Sequence, residues 1–178
     1  MSDQLFQEVP PAYDELAAQG GYAAPEYDAE LAGVKALPKS IEAERSLLGG
    51  LMLSDEAWDA VSDLVVQGDF YRKRHGLIFR EMARLAEASE PLDVVTIAEA
   101  LQEHGLLEEC GGVMYLADLA KATPSAANIR AYANIVHDRA TLRKIINTAT
   151  HIQDAAFNPE GRDSADVLDN AERLIMQI

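Results

Sequence analysis

Between Ala126 and Phe157 the chain runs for 32 residues without a glycine or a proline. A continuous helix of that length, rising about 1.5 Å per residue, is roughly 48 Å long. A chain of 178 residues is expected to form one domain, and a domain of that size cannot enclose such a rod. Part of the helix must therefore project. Its apolar seam reads Ile135, Leu142, Ile145, Ala149, Ile152 and Ala156, with gaps of 7, 3, 4, 3 and 4, the spacing of a coiled-coil stripe. The segment "NPEGRDS", 158–164, makes a turn, and Ser164 is placed to cap a second helix. Val167, Ala171, Leu174 and Ile178 then repeat at 4, 3 and 4. Two apolar seams joined by a tight turn predict an antiparallel helical hairpin. Two helices cover only part of each seam. Either the hairpin lies back on the rest of the fold or, as the favoured reading, it meets a second copy or another protein.

The residues upstream predict the body that carries this hairpin. In "PKSIEAERSLLGGLML" Ser40 caps a helix, and Glu42 sits in its first turn, where the macrodipole favours an acid. Ile41, Leu47, Leu48, Leu51 and Met52 form its stripe. Gly49-Gly50 inside it costs about 1 kcal/mol per glycine, which close approach of a neighbouring helix would justify. "SDEAWDAVSDLV", 54–65, reads as a short helix with Trp58, Val61, Leu64 and Val65 inward, closed by Gly68. A longer helix is expected over 69–89, with Phe70, His75, Ile78, Phe79, Met82 and Leu85 at helical spacing and Pro91 as its stop. Thr96 and Glu99 read as a capping box opening another helix that Gly105 closes. Gly111-Gly112 precedes "VMYLADLAKA", and Thr123-Pro124 ends it. Strand alternation stands out nowhere. The expected fold is all-α: a compact orthogonal helical globule followed by a protruding antiparallel helical hairpin.

Residues 1–37 are different in kind. They hold seven acids and one base, interrupted by Pro10, Pro11, Pro25 and Gly20-Gly21. Such a segment buries too little apolar surface to offset its ordering entropy, so a disordered acidic tail is expected. The division is then 1–37 tail, 38–124 helical globular subdomain and 125–178 hairpin.

Charge limits the partners. The formal net charge is −15. Nucleic-acid affinity comes largely from cations meeting phosphates, so weak or no direct nucleic-acid binding is expected. The one dense basic run, Arg72-Lys73-Arg74-His75, reads best as a solvated helix end. No apolar run approaches the ~20 residues that span a bilayer, and the N-terminus lacks the cationic start and apolar segment of a signal peptide. The single cysteine, Cys110, permits no disulfide framework. A cytoplasmic protein without membrane contact is expected.

The sequence carries no recognisable catalytic or metal-binding motif. A phosphate loop needs glycine directly before its lysine, and none of the five lysines follows a glycine. Helical metal sites want Glu and His at i, i+3 or paired His at i, i+4. Arg72, Leu101, Asn134 and Thr148 precede the four histidines by three, so no metal site is expected. Cys110 has no basic neighbour in sequence to lower its pKa, which favours a buried or idle thiol. No catalytic residue and no cofactor are expected in this chain.

Taken in order, "PKSIEAERSLLGGLML", "GDFYRKRHGLIFREMARL", "PLDVVTIAEAL", "GGVMYLADLAKATPSAANIRAYANIV" and "ATLRKII" resemble the N-terminal domain of the bacterial replicative DNA helicase of the DnaB family. The likeness runs from about Asp28 to the end. It implies a parent protein that is a hexameric ATP- and Mg-dependent motor moving on single-stranded DNA. Its ATPase domain is absent from this chain, so ATP hydrolysis and helicase activity are not expected of these residues. The ending "ERLIMQI", without a capping glycine, reads as a helix cut short. The resemblance further implies pairing of hairpins into dimers, a trimer of dimers as a collar on the motor, and docking of primase and of helicase loaders or phage replication proteins. It places the work at the replication fork, associated with the nucleoid, in initiation and fork progression. The hairpin interface is expected on Ile135, Leu142, Ile145, Ile146, Ile152 and Leu174. Tyr115, in the family's GG-V-x-YL block, is expected to relay or dock, with a plain core role as its rival. The alternative is a free-standing acidic helical adaptor, phage-derived or regulatory, that binds replication factors.

Overall fold

Ser40 opens the first helix as its sequence requires. In a computed structural model describing residues 36–54, 56–123 and 126–178, the Ser40 hydroxyl accepts from Ala43 N–H at 3.3 Å, and helix α1 runs Ile41–Leu51. All but the last two residues of the expected acidic tail lie outside the described residues. Leu37–Ile178 is one compact unit. Its order is α1, a short α2 (Glu56–Asp59), a 3₁₀ turn (Gln67–Asp69), α3 (Lys73–Glu87), α4 (Val94–Glu103), α5 (Gly112–Ala122), a second 3₁₀ turn (Ala126–Asn128), α6 (Ile129–Phe157) and α7 (Ser164–Ile175). The fold is all-α, with no strand among the described residues.

Gly49 and Gly50 do what their cost implied. A Cβ on Gly49 would overlap the Leu119 carbonyl oxygen and the Thr123 hydroxyl, and one on Gly50 would lie 2.5 Å from Ile129 Cδ1. Two adjacent bare positions on α1 thus admit the end of α5 and the start of α6. The obstacle at Gly49 is backbone and cannot swing aside. Gly49→Ala is therefore expected to cost about 1–3 kcal/mol, read as a lower urea midpoint with an unchanged m-value. At Gly50 the flexible end of Ile129 can yield, so the same change there costs less.

Four boundaries differ from expectation, each for a local reason. The second helix is α-helical only over Glu56–Asp59; beyond it Val61 N–H bonds to the Trp58 carbonyl and Leu64 N–H to that of Val61. These tighter turns still deliver Val61 and Val65 to the core. The third begins at Lys73, not at 69, because Phe70 and Arg72 are extended and a carboxylate from α1 captures the amides of Tyr71 and Arg72. It ends before Pro91, where Ser89 adopts φ 57° and Glu90 N–H reaches back to Leu85. The cap of α4 is Asp93: its Oδ1 accepts from Val95 and Thr96 N–H at 2.8 and 3.0 Å. Thr96 is a recipient of that cap, not the head of a box. Asp163 likewise caps α7, one residue before Ser164, by accepting from Asp166 N–H at 2.9 Å.

The core gathers Leu47, Leu48 and Leu51 of α1, Ile78 and Met82 of α3, Ile97 and Leu101 of α4, and Leu116 and Leu119 of α5, all fully buried. Helix α6 joins it through Ile129, Ala133, Val136 and Ala140. Beyond Ala140 none of its residues is buried, so the first three turns are anchored and the rest projects. The distal part packs against α7, with Ile152, Ala155, Val167, Ala171 and Leu174 half-buried. Gly161, at φ 84°, sits in the tight turn between them.

Candidate docking and assembly surface

The buried residues of α6 recur on one side; its exposed apolar residues recur on the other. At 100° per residue, Ile129, Ala133, Val136 and Ala140 share a narrow stripe facing the globule. Ile135, Leu142, Ile145 and Ile146 lie roughly opposite and are 39%, 41%, 45% and 42% exposed. Ile135 and Leu142 border a shallow groove of about 420 Å³ with Asp138, Arg139 and Thr141. Ile152 and Leu174, expected on the same interface, are half-buried within the single chain. The seam thus has two parts, a distal one closed by the hairpin itself and a proximal one that the chain leaves open.

A polar clamp fixes where this open face is carried. Arg143 donates from Nη1 to the Pro38 carbonyl at 2.8 Å and from Nη2 to the Asp69 carbonyl at 2.6 Å. The Asp69 carboxylate, 2% exposed, accepts from Val66 N–H at 3.2 Å and lies 3.3 Å from His137 Nδ1. Lys144 Nζ stands 3.4 Å from its other oxygen, within ion-pair range, though that oxygen accepts no hydrogen bond within the described residues. Arg143 and Lys39 also flank the Tyr71 ring, at 5.7 and 4.7 Å. His137, Arg143 and Lys144 border the buried stripe of α6, so three side chains hold the helix just where it leaves the globule. Sequence reasoning missed this clamp, since its partners are 68 to 105 residues apart. The one available sign was a row of cations beside an apolar stripe.

Tyr115 is tied to a second buried polar chain. Glu44, 2% exposed, accepts from Tyr71 N–H at 2.8 Å and Arg72 N–H at 3.4 Å, and lies 2.6 Å from His75 Nδ1. A carboxylate only accepts, so Nδ1 carries the proton. In the neutral tautomer His75 Nε2 then accepts from the Tyr115 hydroxyl, also at 2.6 Å. The phenol is thereby aimed by α1 and α3 together. Its ring is only half-buried, and the guanidinium groups of Arg74 and Arg45 lie over it at 4.1 and 5.8 Å.

The other polar residues are accounted for structurally. Glu81 is buried; burial opposes its charge, but hydrogen bonds from Arg84 and Arg80 and the charges of His104 and Arg80 hold it below the ordinary carboxylate range. Cys110 is fully buried, and burial, followed by the negative charges of Glu109 and Glu81, pushes its thiol up to about 11. Only the thiolate attacks a disulfide reagent. Because the thiol is also shut off from solvent, the native chain is expected to react at least about a hundredfold more slowly than the urea-unfolded one, timed by thionitrobenzoate release. Among the described residues no three His, Cys, Asp or Glu side chains are grouped to hold a metal. No described helix is long and apolar enough to cross a membrane.

Comparison with known proteins bears on this arrangement. The family model of the DnaB-like helicase N terminal domain matches residues 36–138. The replicative DNA helicase DnaB of Buchnera aphidicola subsp. Baizongia pistaciae is 46% identical over 142 residues, covering 80% of this chain and 31% of that protein. The Geobacillus stearothermophilus DnaB is 43% identical over 150 residues, covering 84% and 33%. This chain therefore spans about a third of the length of the curated relatives it matches. Among solved structures, the N-terminal domain of DnaB helicase from Mycobacterium tuberculosis superposes with a TM-score of 0.78 at 37% identity, over 80% of this chain and 100% of that one. The corresponding Helicobacter pylori domain, studied with its interactions with primase, gives 0.55 at 25% identity, over 65% and 89%.

Proposed function

Because this chain belongs to the family of DnaB-like helicase N-terminal domains, we propose that it is the assembly and primase-docking domain of a hexameric, ATP-dependent replicative helicase. In this reading residues 38–124 are the globular subdomain, residues 125–178 the hairpin, and ATP and Mg bind a motor domain elsewhere in the parent. The chain itself takes no cofactor and performs no catalysis. It acts in the bacterial cytoplasm at the replication fork, in initiation and fork progression. Hairpins pair into dimers, dimers into a trimer of dimers, and the resulting collar receives primase and helicase loaders or their phage counterparts.

The observation that carries this reading is the open proximal face of α6. Four large aliphatic side chains at helical spacing are exposed there, on a helix held at its root by Arg143, His137 and Lys144. A rigidly presented apolar face lowers the ordering cost of association. The acidic surface opposes direct DNA binding, which suits a domain that organises proteins.

The test is mass by light scattering, for the chain alone and with the C-terminal domain of primase. The expected result is a species of at least twice 19.4 kDa that grows further on adding the primase domain. A monomer indifferent to primase at about 100 μM, where a micromolar complex would be nearly saturated, overturns the proposal.

A further inference from the structure

Two arginines stand apart from the others on this chain. Arg80 and Arg84 donate to Glu81, Arg143 to two carbonyls, Arg162 to the Pro159 carbonyl and Arg173 to Asn170. Arg72, Arg130 and Arg139 are exposed to solvent. Arg45 of α1 and Arg74 of α3 are half-buried, yet neither guanidinium meets a carboxylate or a carbonyl acceptor within the described residues. Both lie over one aromatic ring, that of Tyr115 on α5. The chain as a whole carries a net charge of −15, yet these two cations share one ring and no carboxylate within the described residues. Each guanidinium keeps a fork of N–H donors that matches a carboxylate bidentately.

The platform beneath them is fixed. The Tyr115 hydroxyl is held 2.6 Å from His75 Nε2, and His75 in turn 2.6 Å from Glu44. Glu44 serves Tyr71 N–H, Arg72 N–H and His75, and makes no hydrogen bond to either guanidinium within the described residues. Lys73 takes the nearby Glu109, at 2.7 Å.

We infer that Arg45, Arg74 and Tyr115 form a docking site for an acidic peptide segment of a partner protein, its carboxylates on the guanidinium forks. The inference deepens the docking reading above and rests on it. A peptide is favoured over a nucleic acid because two cations satisfy one or two carboxylates, whereas a phosphate backbone draws its affinity from many contacts and would face the −15 charge of the whole chain.

The probe is a fluorescein-labelled ten-residue peptide with two adjacent glutamates between serines, followed by anisotropy at low salt. The wild-type chain is expected to bind it, and Arg45→Gln/Arg74→Gln to weaken binding at least about tenfold. Arg45→Lys/Arg74→Lys, which keeps the charge but not the fork, falls between. Arg162→Gln, remote in sequence, leaves binding unchanged. Equal binding by the wild type and the double glutamine variant, with matching circular dichroism, overturns the inference, as does tighter binding of a single-stranded dT decamer than of the peptide. The same variants are then mixed with the primase C-terminal domain. Primase bound equally by wild type and double variant, with no peptide bound by either, sinks this site and leaves the docking reading standing. Peptide bound through the arginines with primase ignored sinks the primase reading and leaves the site.

Discussion

Glu44→Ala is expected to lower the stability of the chain by about 3–5 kcal/mol, the cost of removing one member of a buried ionic or hydrogen-bonded set. The Glu44 carboxylate is 2% exposed and serves Tyr71 N–H, Arg72 N–H and His75 Nδ1. Its loss leaves a buried imidazole N–H and two part-buried amides without their acceptor, and each orphan that water does not reach is penalised by about 1–3 kcal/mol. The same carboxylate decides where α3 begins, since it holds Phe70 to Arg72 extended. Against a total stability of about 5–15 kcal/mol, the change should lower the melting temperature by about 10 °C or more. Glu44→Gln retains one carbonyl oxygen but turns an amide toward a donor, so it should lose roughly half as much. Urea unfolding checks both. A Glu44→Ala chain within about 1 kcal/mol of wild type would show that the helices of the globule are held by apolar packing alone.

What was legible in the sequence was whatever repeats locally. The seven-residue interval from Ile135 to Leu142 and the absence of glycine and proline were enough for a long helix with two faces. Gly49-Gly50 pointed to a close helix crossing or a backbone contact, and the Leu119 carbonyl and Ile129 packed against them show the crossing. The caps were half legible. Asp93 and Thr96 stand three residues apart and both are cap-forming types, and only the Asp93 hydrogen bonds show which one the chain uses. Glu44 was nearly legible: it falls between Leu48 and Leu51 on the helical wheel of α1, inside the apolar stripe, where an acid must have a buried partner. The partner could not be read, because His75 and Tyr115 arrive from other helices. The Asp69 clamp was invisible for the same reason. Long-range polar contacts are set by how helices cross, and no local period encodes a crossing. Ile152 and Leu174 belong to the same kind of three- and four-residue repeat as Leu142 and Ile145; their half-burial depends on where α7 folds back.

That difference in burial separates association from folding in the largest expected effect on assembly. Ile145 is 45% exposed in the single chain, so Ile145→Asp should leave urea stability within about 0.5 kcal/mol of wild type. In a two-fold pairing through this face the substitution enters the interface twice. A charge buried without a partner costs at least about 2 kcal/mol at a well-packed position. Two copies then weaken the dimer by about 4 kcal/mol, close to a thousandfold in Kd. Light scattering over a concentration series should show monomer mass for Ile145→Asp at concentrations where the wild-type chain is associated. Leu174→Asp is the informative contrast. Its side chain is half-buried between α6 and α7, so a charge there should lower stability as well as mass. If Ile145→Asp associates as the wild type does, with its fold intact, the proximal face of α6 is no interface, and assembly must be sought on the distal half of the hairpin, where Phe157, Leu168 and Met176 are 75%, 59% and 86% exposed.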